Sequence, residues 1–324
     1  MASFEKQDTL KASSNEIELV DFRIYKLEKG KIYEGIYGIN VAKVNEIIRL
    51  PHLTELPGAP EYIEGIFDLR GIVIPVINLA KWMHVEVPKN KKIKPRVIIA
   101  ELNDIVIGFI VHEAKRIRRI NWKNIEPANF SSSSSTNSKL DKGKITGITR
   151  IDGGEEVLLI LDLESIIQDL GLYRPEINAD RSYTQFGGLA LIFYDSAIAR
   201  KITKEFLEKM GFDVTEANDG EAGLEKLEKL YENYGEKLSQ FLKVIISDIE
   251  MPKMDGFHFA KKVKEDPRFA KFPIIFSSSI SDKFSKEKGE KAGGESYLVK
   301  FDGNKLHDEI SKIVSKYDKE LEKF

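Results

Sequence analysis

Cysteine is absent from all 324 residues. That excludes disulfide staples, thiolate metal centres and a cysteine nucleophile. A large excess of one charge is missing too. The chain holds 50 Lys and Arg against 52 Asp and Glu, a net of −2, so it is not built to coat nucleic acid by bulk charge. Long apolar runs are lacking. The longest, GIVIPVINLA at residues 71–80, is too short to span a bilayer and contains a proline. The N-terminal MASFEKQDTL has no apolar core of a secretory signal. The expectation is a soluble, cytoplasmic chain with no direct membrane insertion. What is present, 42% hydrophobic and 31% charged residues, is an ordinary globular composition, and the length suggests two domains.

The two halves differ in pattern. Residues 15–172 contain short Val- and Ile-rich runs, among them 17–27, 72–79, 97–103, 105–111 and 156–163. Gly, Pro, Asn and charged clusters separate them, which predicts an all-β barrel or sandwich. Asn103-Asp104 reads as a hairpin turn, and 41–48 (VAKVNEII) as a helical interruption. Residues 189–324 alternate instead. Strands are expected at 189–194, 213–217, 243–248, 272–279 and 296–300, with helices at 199–210, 220–242, 257–266, 283–293 and 305–324. Alternation of this kind means βαβ units, hence a doubly wound α/β fold with a five-stranded parallel sheet. Residues 1–14 form an N-terminal tail, and the polar 173–188, with a proline and Gly-Gly, is the linker. The Ser-rich 131–138 reads as a loop inside the first domain.

The chemistry concentrates in the second half. Asp195, Asp248, Ser278 and Lys300 each stand at a strand's carboxyl end, the edge where doubly wound sheets bind ligands. Two carboxylates brought together repel one another. A hard divalent cation such as Mg²⁺ relieves that repulsion with oxygen ligands. A carboxylate beside such an ion can attack a phosphoryl donor, and a lysine and a hydroxyl can bind the phosphoryl oxygens.

Residues 189–324 resemble a response-regulator receiver domain, most clearly in SDIEMPKMDG at 247–256. The resemblance implies strand order 2-1-3-4-5 and Asp248 as phosphoacceptor. It also implies Mg²⁺ held by Asp195, Asp248 and the backbone carbonyl of Glu250, with Ser278, Tyr297 and Lys300 as switch and phosphate-sensing residues. Two departures stand out. Tyr194 occupies a position where the family usually has an acid, which predicts weaker Mg²⁺ binding. Phe301 follows Lys300 where the family usually has proline.

The first half carries no catalytic signal: His52, His84 and His112 lack metal-ligand spacing. The phrase EGIFDLRGIVIPVINL at 64–79 sets Arg70-Gly71 in a turn before an apolar strand. With 38–48, 56–65, 111–128 and 145–167 it resembles the CheW family of chemotaxis scaffolds. That implies two small five-stranded barrels that bind the histidine kinase CheA and the cytoplasmic tips of chemoreceptors, with Val44, Ile47 and Arg70 contacting or shaping those surfaces. Arg70 alternatively braces the two subdomains. The combination resembles the CheV family of coupling proteins. It implies a non-enzymatic adaptor at membrane-associated receptor arrays, regulated by phosphorylation at Asp248. The alternative is a phosphate sink for CheA with a passive scaffold domain.

Overall fold

The computed structural model describes residues 16–102, 105–126, 128, 144–172, 183–278, 287, 289–299 and 303–321. The chain divides into two units, 1–163 and 164–324. Asn103-Asp104, the Ser-rich stretch, the tail and most of the linker lie outside the described residues, as do residues 283–286 and 288 of the helix expected at 283–293, whose described positions 287 and 289–291 are helical.

The first unit is built from strands. These are β1 (Glu16–Glu28), β2 (Lys31–Asn40), β3 (Val44–Arg49), β4 (Ile63–Leu69), β5 (Ile72–Asn78), β6 (Arg96–Leu102), β7 (Ile105–Val111), β8 (Glu113–Asn121), β9 (Ile125–Glu126), β10 (Ile145–Ile151) and β11 (Glu156–Leu161), with a short helix α1 (Leu79–Trp82). They form two sheets, in the orders β8-β1-β2-β11-β10-β9 and β3-β6-β7-β5-β4. The second holds five strands, and the first has a sixth in the two-residue β9. Each sheet covers its own apolar cluster. One gathers Leu19, Ile36, Leu158 and Ile160; the other gathers Ile74, Val76, Val97 and Ile99.

The helix expected at 41–48 is not formed. Val41–Lys43 makes one 3₁₀ turn capped by Asn40, and from Val44 the chain is a strand paired antiparallel with β6. Its Val and Ile side chains suit a pleated, half-buried surface, and β6 supplies the partner. A second Asn-capped 3₁₀ turn, Trp122–Asn124, likewise leads into a strand, β9.

The first sheet also buries charge. Asp21 and Arg23 are both in the interior and bonded to each other. Arg118 turns inward from β8 to Asp21 and Asp152, whereas Arg116 and Arg119 on the same strand stay exposed. Beside this network His112 is buried, and its Nδ1 accepts the Tyr25 backbone N–H at 2.8 Å. Burial first, and the Lys91 ammonium second, lower its pKa from 6.5 to about 4. The unfolded chain therefore takes up the His112 proton before the folded one does. Stability of this unit is expected to be full above about pH 6.5 and to fall by roughly 3 kcal/mol on acidification toward pH 4. Both tryptophans, Trp82 and Trp122, lie in this unit, so urea midpoints read by their fluorescence check it. His112→Gln should flatten that slope, and an unchanged slope would contradict the assignment.

Helix α2 (Leu163–Asp169) begins at the boundary between the units. The second unit then runs β12 (Leu189–Phe193), α3 (Ala197–Lys209), β13 (Asp213–Ala217), α4 (Gly220–Tyr234), α5 (Leu238–Phe241), β14 (Leu242–Asp248), α6 (Gly256–Glu265), β15 (Ile274–Ser278), β16 (Ser296–Val299) and α7 (Gly303–Leu321). The sheet order is β13-β12-β14-β15-β16, with every pair parallel. This is the expected 2-1-3-4-5. Alternation along the central strands divides the core. Leu191, Phe193 and Ile245 join one cluster, while Ala190, Ile192 and Ile246 join the other.

The single helix expected at 220–242 is interrupted. Gly235 takes φ 57° and ψ −141°, which ends α4, and a 3₁₀ turn then leads into α5. The last part of the linker is attached to this unit. Tyr183 packs edge-on to Phe206 and Phe186 stacks on Phe212, while the Thr184 N–H donates to His307 Nε2 at 3.2 Å.

Candidate functional site

Strand register brings the acids together. Phe193 of β12 stands opposite Ser247 of β14, so Asp195, two residues past the end of β12, and Asp248, the last residue of β14, emerge at one edge of neighbouring central strands. Asp248 in turn stands opposite Ser277 of β15, which brings Ser278 to the same edge. Asp248 is 1% exposed and Ser278 2%. The next pairing sets Ser278 opposite Val299 and Phe276 opposite Tyr297, whose ring packs against the apolar cluster that contains Phe276. Lys300 lies outside the described residues.

Local backbone fixes each acid. Asp195 Oδ1 accepts the Ser196 N–H at 2.7 Å, and Ser196 caps α3 through the Ala199 N–H. The peptide before Asp195 is held by Arg200, whose Nη1 donates to the Tyr194 carbonyl at 2.6 Å. Asp248 Oδ1 accepts the Glu250 N–H at 3.3 Å, which folds the following loop back over the strand end. That loop closes at Gly256. A Cβ there would strike the Asp248 carbonyl oxygen and come within 2.8 Å of Ser247 Oγ, so no larger residue fits without moving the strand end. Asp255 caps α6 through the His258 N–H at 2.7 Å and also bonds the His258 ring.

Tyr194 is 1% exposed and belongs to the apolar cluster that includes Ala190, Ile192, Ile246 and Leu298. Its ring continues the Ala190–Ile192 face of β12. The position expected from the receiver resemblance to carry an acid is thus a buried tyrosine. Among the described residues no three His, Asp or Glu side chains gather in a way that could hold a metal ion.

The residues expected to face partners lie in the second β-sheet. Arg70, φ 57°, sits in the β4–β5 turn with its side chain 76% exposed, and its guanidinium pairs with Glu46 of β3 at 3.1 Å. β3 and β4 are the two edge strands of one sheet, so this ion pair ties the turn to the opposite edge of the same sheet. Ile72 and Val73, immediately after the turn, are 54% and 61% exposed. Val44 is buried opposite Ala100, and Ile47 is partly exposed opposite Ile98.

Comparison with known proteins agrees with both units. Residues 29–171 match the CheW-like domain family, and residues 190–311 match the response regulator receiver domain family. Over 303 residues the sequence is 55% identical to the chemotaxis protein CheV3 of Helicobacter pylori, covering 93% of this chain and 96% of that protein. The chain belongs to the CheV family of chemotaxis proteins. Shorter relatives match the two units separately. The chemotaxis protein CheW of Thermotoga maritima is 27% identical over 152 residues, covering 47% of this chain and 91% of that protein. The chemotaxis protein CheY1 of H. pylori is 39% identical over 111 residues, covering 34% of this chain and 82% of that protein. This CheV chain thus joins a CheW-like β domain to an α/β receiver. Among its described residues no helix is long and apolar enough to cross a membrane.

Sequence reasoning did not single out Asp219, Lys253 or Arg200. Only Lys253 left a visible signal, a lysine within the Met-Pro-Lys-Met-Asp-Gly turn at 251–256.

Proposed function

We infer that the chain is a coupling adaptor that links chemoreceptor tips to the histidine kinase CheA, and that phosphorylation of Asp248 regulates the link. The observation that carries this reading is the meeting of Asp195 and Asp248 at one sheet edge, on the same polypeptide as an exposed arginine turn in a CheW-like domain.

Mg²⁺ fits the donor set. Two carboxylates and a backbone carbonyl are hard oxygen ligands, and an incomplete protein cage leaves room for the waters that Mg²⁺ retains. Asp195, Asp248 and the Glu250 carbonyl would hold it. Bound there, the ion supplies positive charge to the phosphoryl oxygens. Because Tyr194 contributes no charge, affinity should be lower than with a third acid. Asp248 is the nucleophile: a carboxylate oxygen attacks phosphorus as the bond to the kinase's histidine nitrogen breaks. The electron pair leaves on that nitrogen, which takes a proton, and an acyl phosphate remains on Asp248. The Ser278 hydroxyl and the Lys300 ammonium then bind the new phosphoryl oxygens. Their movement would bias a two-state equilibrium of the receiver that Tyr297 follows.

Docking is assigned to the turn at Arg70. Ile72 and Val73 offer exposed apolar surface beside a charge, the composition of a protein interface centre and its rim. Ile47 and the buried Val44 shape the neighbouring strand. Arg70→Ala should weaken retention of the chain on sedimenting receptor–kinase complexes by roughly tenfold, the loss of about 1–2 kcal/mol at an interface arginine. Unchanged retention would reject this surface. Acetyl phosphate added to the same assay should alter retention of the wild-type chain. If it does not, and kinase phosphate still drains into Asp248, the chain is a phosphate sink on a passive scaffold.

A further inference from the structure

Lys253 occupies an unusual position. It lies in the loop between Asp248 and α6 with φ 61°, in the left-handed region that L side chains rarely adopt. Its ammonium reaches Asp219 Oδ2 at 2.9 Å. Asp219 is 1% exposed and is the N-cap of α4, with its other oxygen accepting the Ala222 N–H at 2.8 Å. One buried carboxylate therefore serves two elements at once. The same two segments meet a second time through their backbones, where the Gly220 N–H donates to the Met254 carbonyl at 3.2 Å. The hydrogen bond to Asp219 raises the Lys253 pKa further, so the amine stays charged.

We propose that the Asp219–Lys253 pair is a positioning clamp that holds the loop after Asp248 in the geometry needed for divalent-cation binding. This clamp rests on the phosphoacceptor reading above. The Glu250 carbonyl, the one backbone donor of the candidate metal set, sits on this loop three residues before Lys253. The two ends of the loop are tied at the strand end, by the Glu250 N–H on Asp248 Oδ1 at 3.3 Å and by the Gly256 N–H on the Ile249 carbonyl at 3.0 Å. Its outer turn is tied to α4 through Lys253 and Met254. With Tyr194 in the core instead of a third acid, a smaller donor set depends more heavily on each remaining donor being in place. Groups that orient metal ligands without touching the ion typically carry about 10–100-fold in affinity.

The test is calorimetric titration of the full chain with Mg²⁺ alone. Wild type, Lys253→Met, Asp219→Asn, the double variant Lys253→Met/Asp219→Asn and Lys253→Arg are compared. Asparagine still caps α4, and the arginine retains the ion pair. A clamp gives one sign: Lys253→Met and Asp219→Asn each weaken Mg²⁺ binding by about tenfold, the double variant is no worse than either single one, and Lys253→Arg restores most of the affinity. Through-space charge gives opposite signs, because removing the lysine would tighten binding of a cation and removing the aspartate would loosen it. Opposite signs, or unaltered affinity in both variants, would overturn the clamp. Absence of Mg²⁺ binding by the wild type would instead overturn the phosphoacceptor reading on which the clamp rests.

Discussion

Asp248→Asn should abolish phosphoryl labelling of the chain by acetyl phosphate or phosphorylated CheA, while leaving the receiver folded. The substitution keeps the side chain's size at a position that is 1% exposed but removes the anionic oxygen that attacks phosphorus. It also removes one of two acids at the strand edge, which relieves like-charge repulsion. Thermal stability should therefore hold or rise while the label falls to background. That combination separates loss of the nucleophile from loss of the fold. Persistent label in the variant, mapped to another residue, would remove Asp248 from its role.

Asp21→Ala is expected to have the largest effect on stability. Asp21 is fully buried between Arg23 and Arg118, whose side chains are 5% and 10% exposed. Glu34 at 2.7 Å and Asp152 at 2.7 Å complete the network from the other side. Taking both arginines out of water is costly, and the central carboxylate offsets much of that cost. Removing it leaves buried positive charges facing each other. Loss of one partner of a buried pair typically costs about 3–5 kcal/mol. The tryptophan-monitored urea midpoint of the first unit should fall accordingly, whereas labelling at Asp248 in the other unit should persist under native conditions. A midpoint within error of wild type would mean that water already screens the network.

These two residues also mark how far the sequence could be read. The receiver sheet was legible because apolar strands and amphipathic helices alternate in distinct periods, and because right-handed crossovers leave few topologies. Asp195, Asp248 and Ser278 could be placed at one edge because strand ends are where such sheets gather side chains. The segment 41–48 was misleading for a definite reason. Val41, Val44, Ile47 and Ile48 recur at helical spacing, yet all are β-branched, and only the neighbouring strand β6 decides in favour of a sheet. Residues 220–242 keep helical periodicity through Gly235, and the break comes from a backbone conformation that periodicity does not encode.

The buried charges were invisible for a related reason. Asp21-Phe22-Arg23 reads as polar–apolar–polar alternation, which predicts an Asp and an Arg facing water. Here all three are buried, because both faces of that part of β1 are covered. Arg118 in the basic run 115–119 looks like its neighbours in sequence and differs only in having Asp21 within reach. The Asp219–Lys253 pair joins positions far apart in the chain, so no local spacing announces it. Tyr194 was recognisable as a departure in the sequence, and its burial in the apolar cluster with Ala190 and Ile192 was not.

The central claim is that two strand-end carboxylates, without a third, still make a divalent-cation-dependent phosphoacceptor. The most direct measurement is mass spectrometry of the intact wild-type chain incubated with acetyl phosphate across a range of Mg²⁺ concentrations, with a chelator-treated sample as the zero point. The expected result is a single added phosphoryl group that appears saturably with Mg²⁺, maps to Asp248 and is absent with chelator. Label that ignores Mg²⁺, or no label at saturating Mg²⁺, would contradict it.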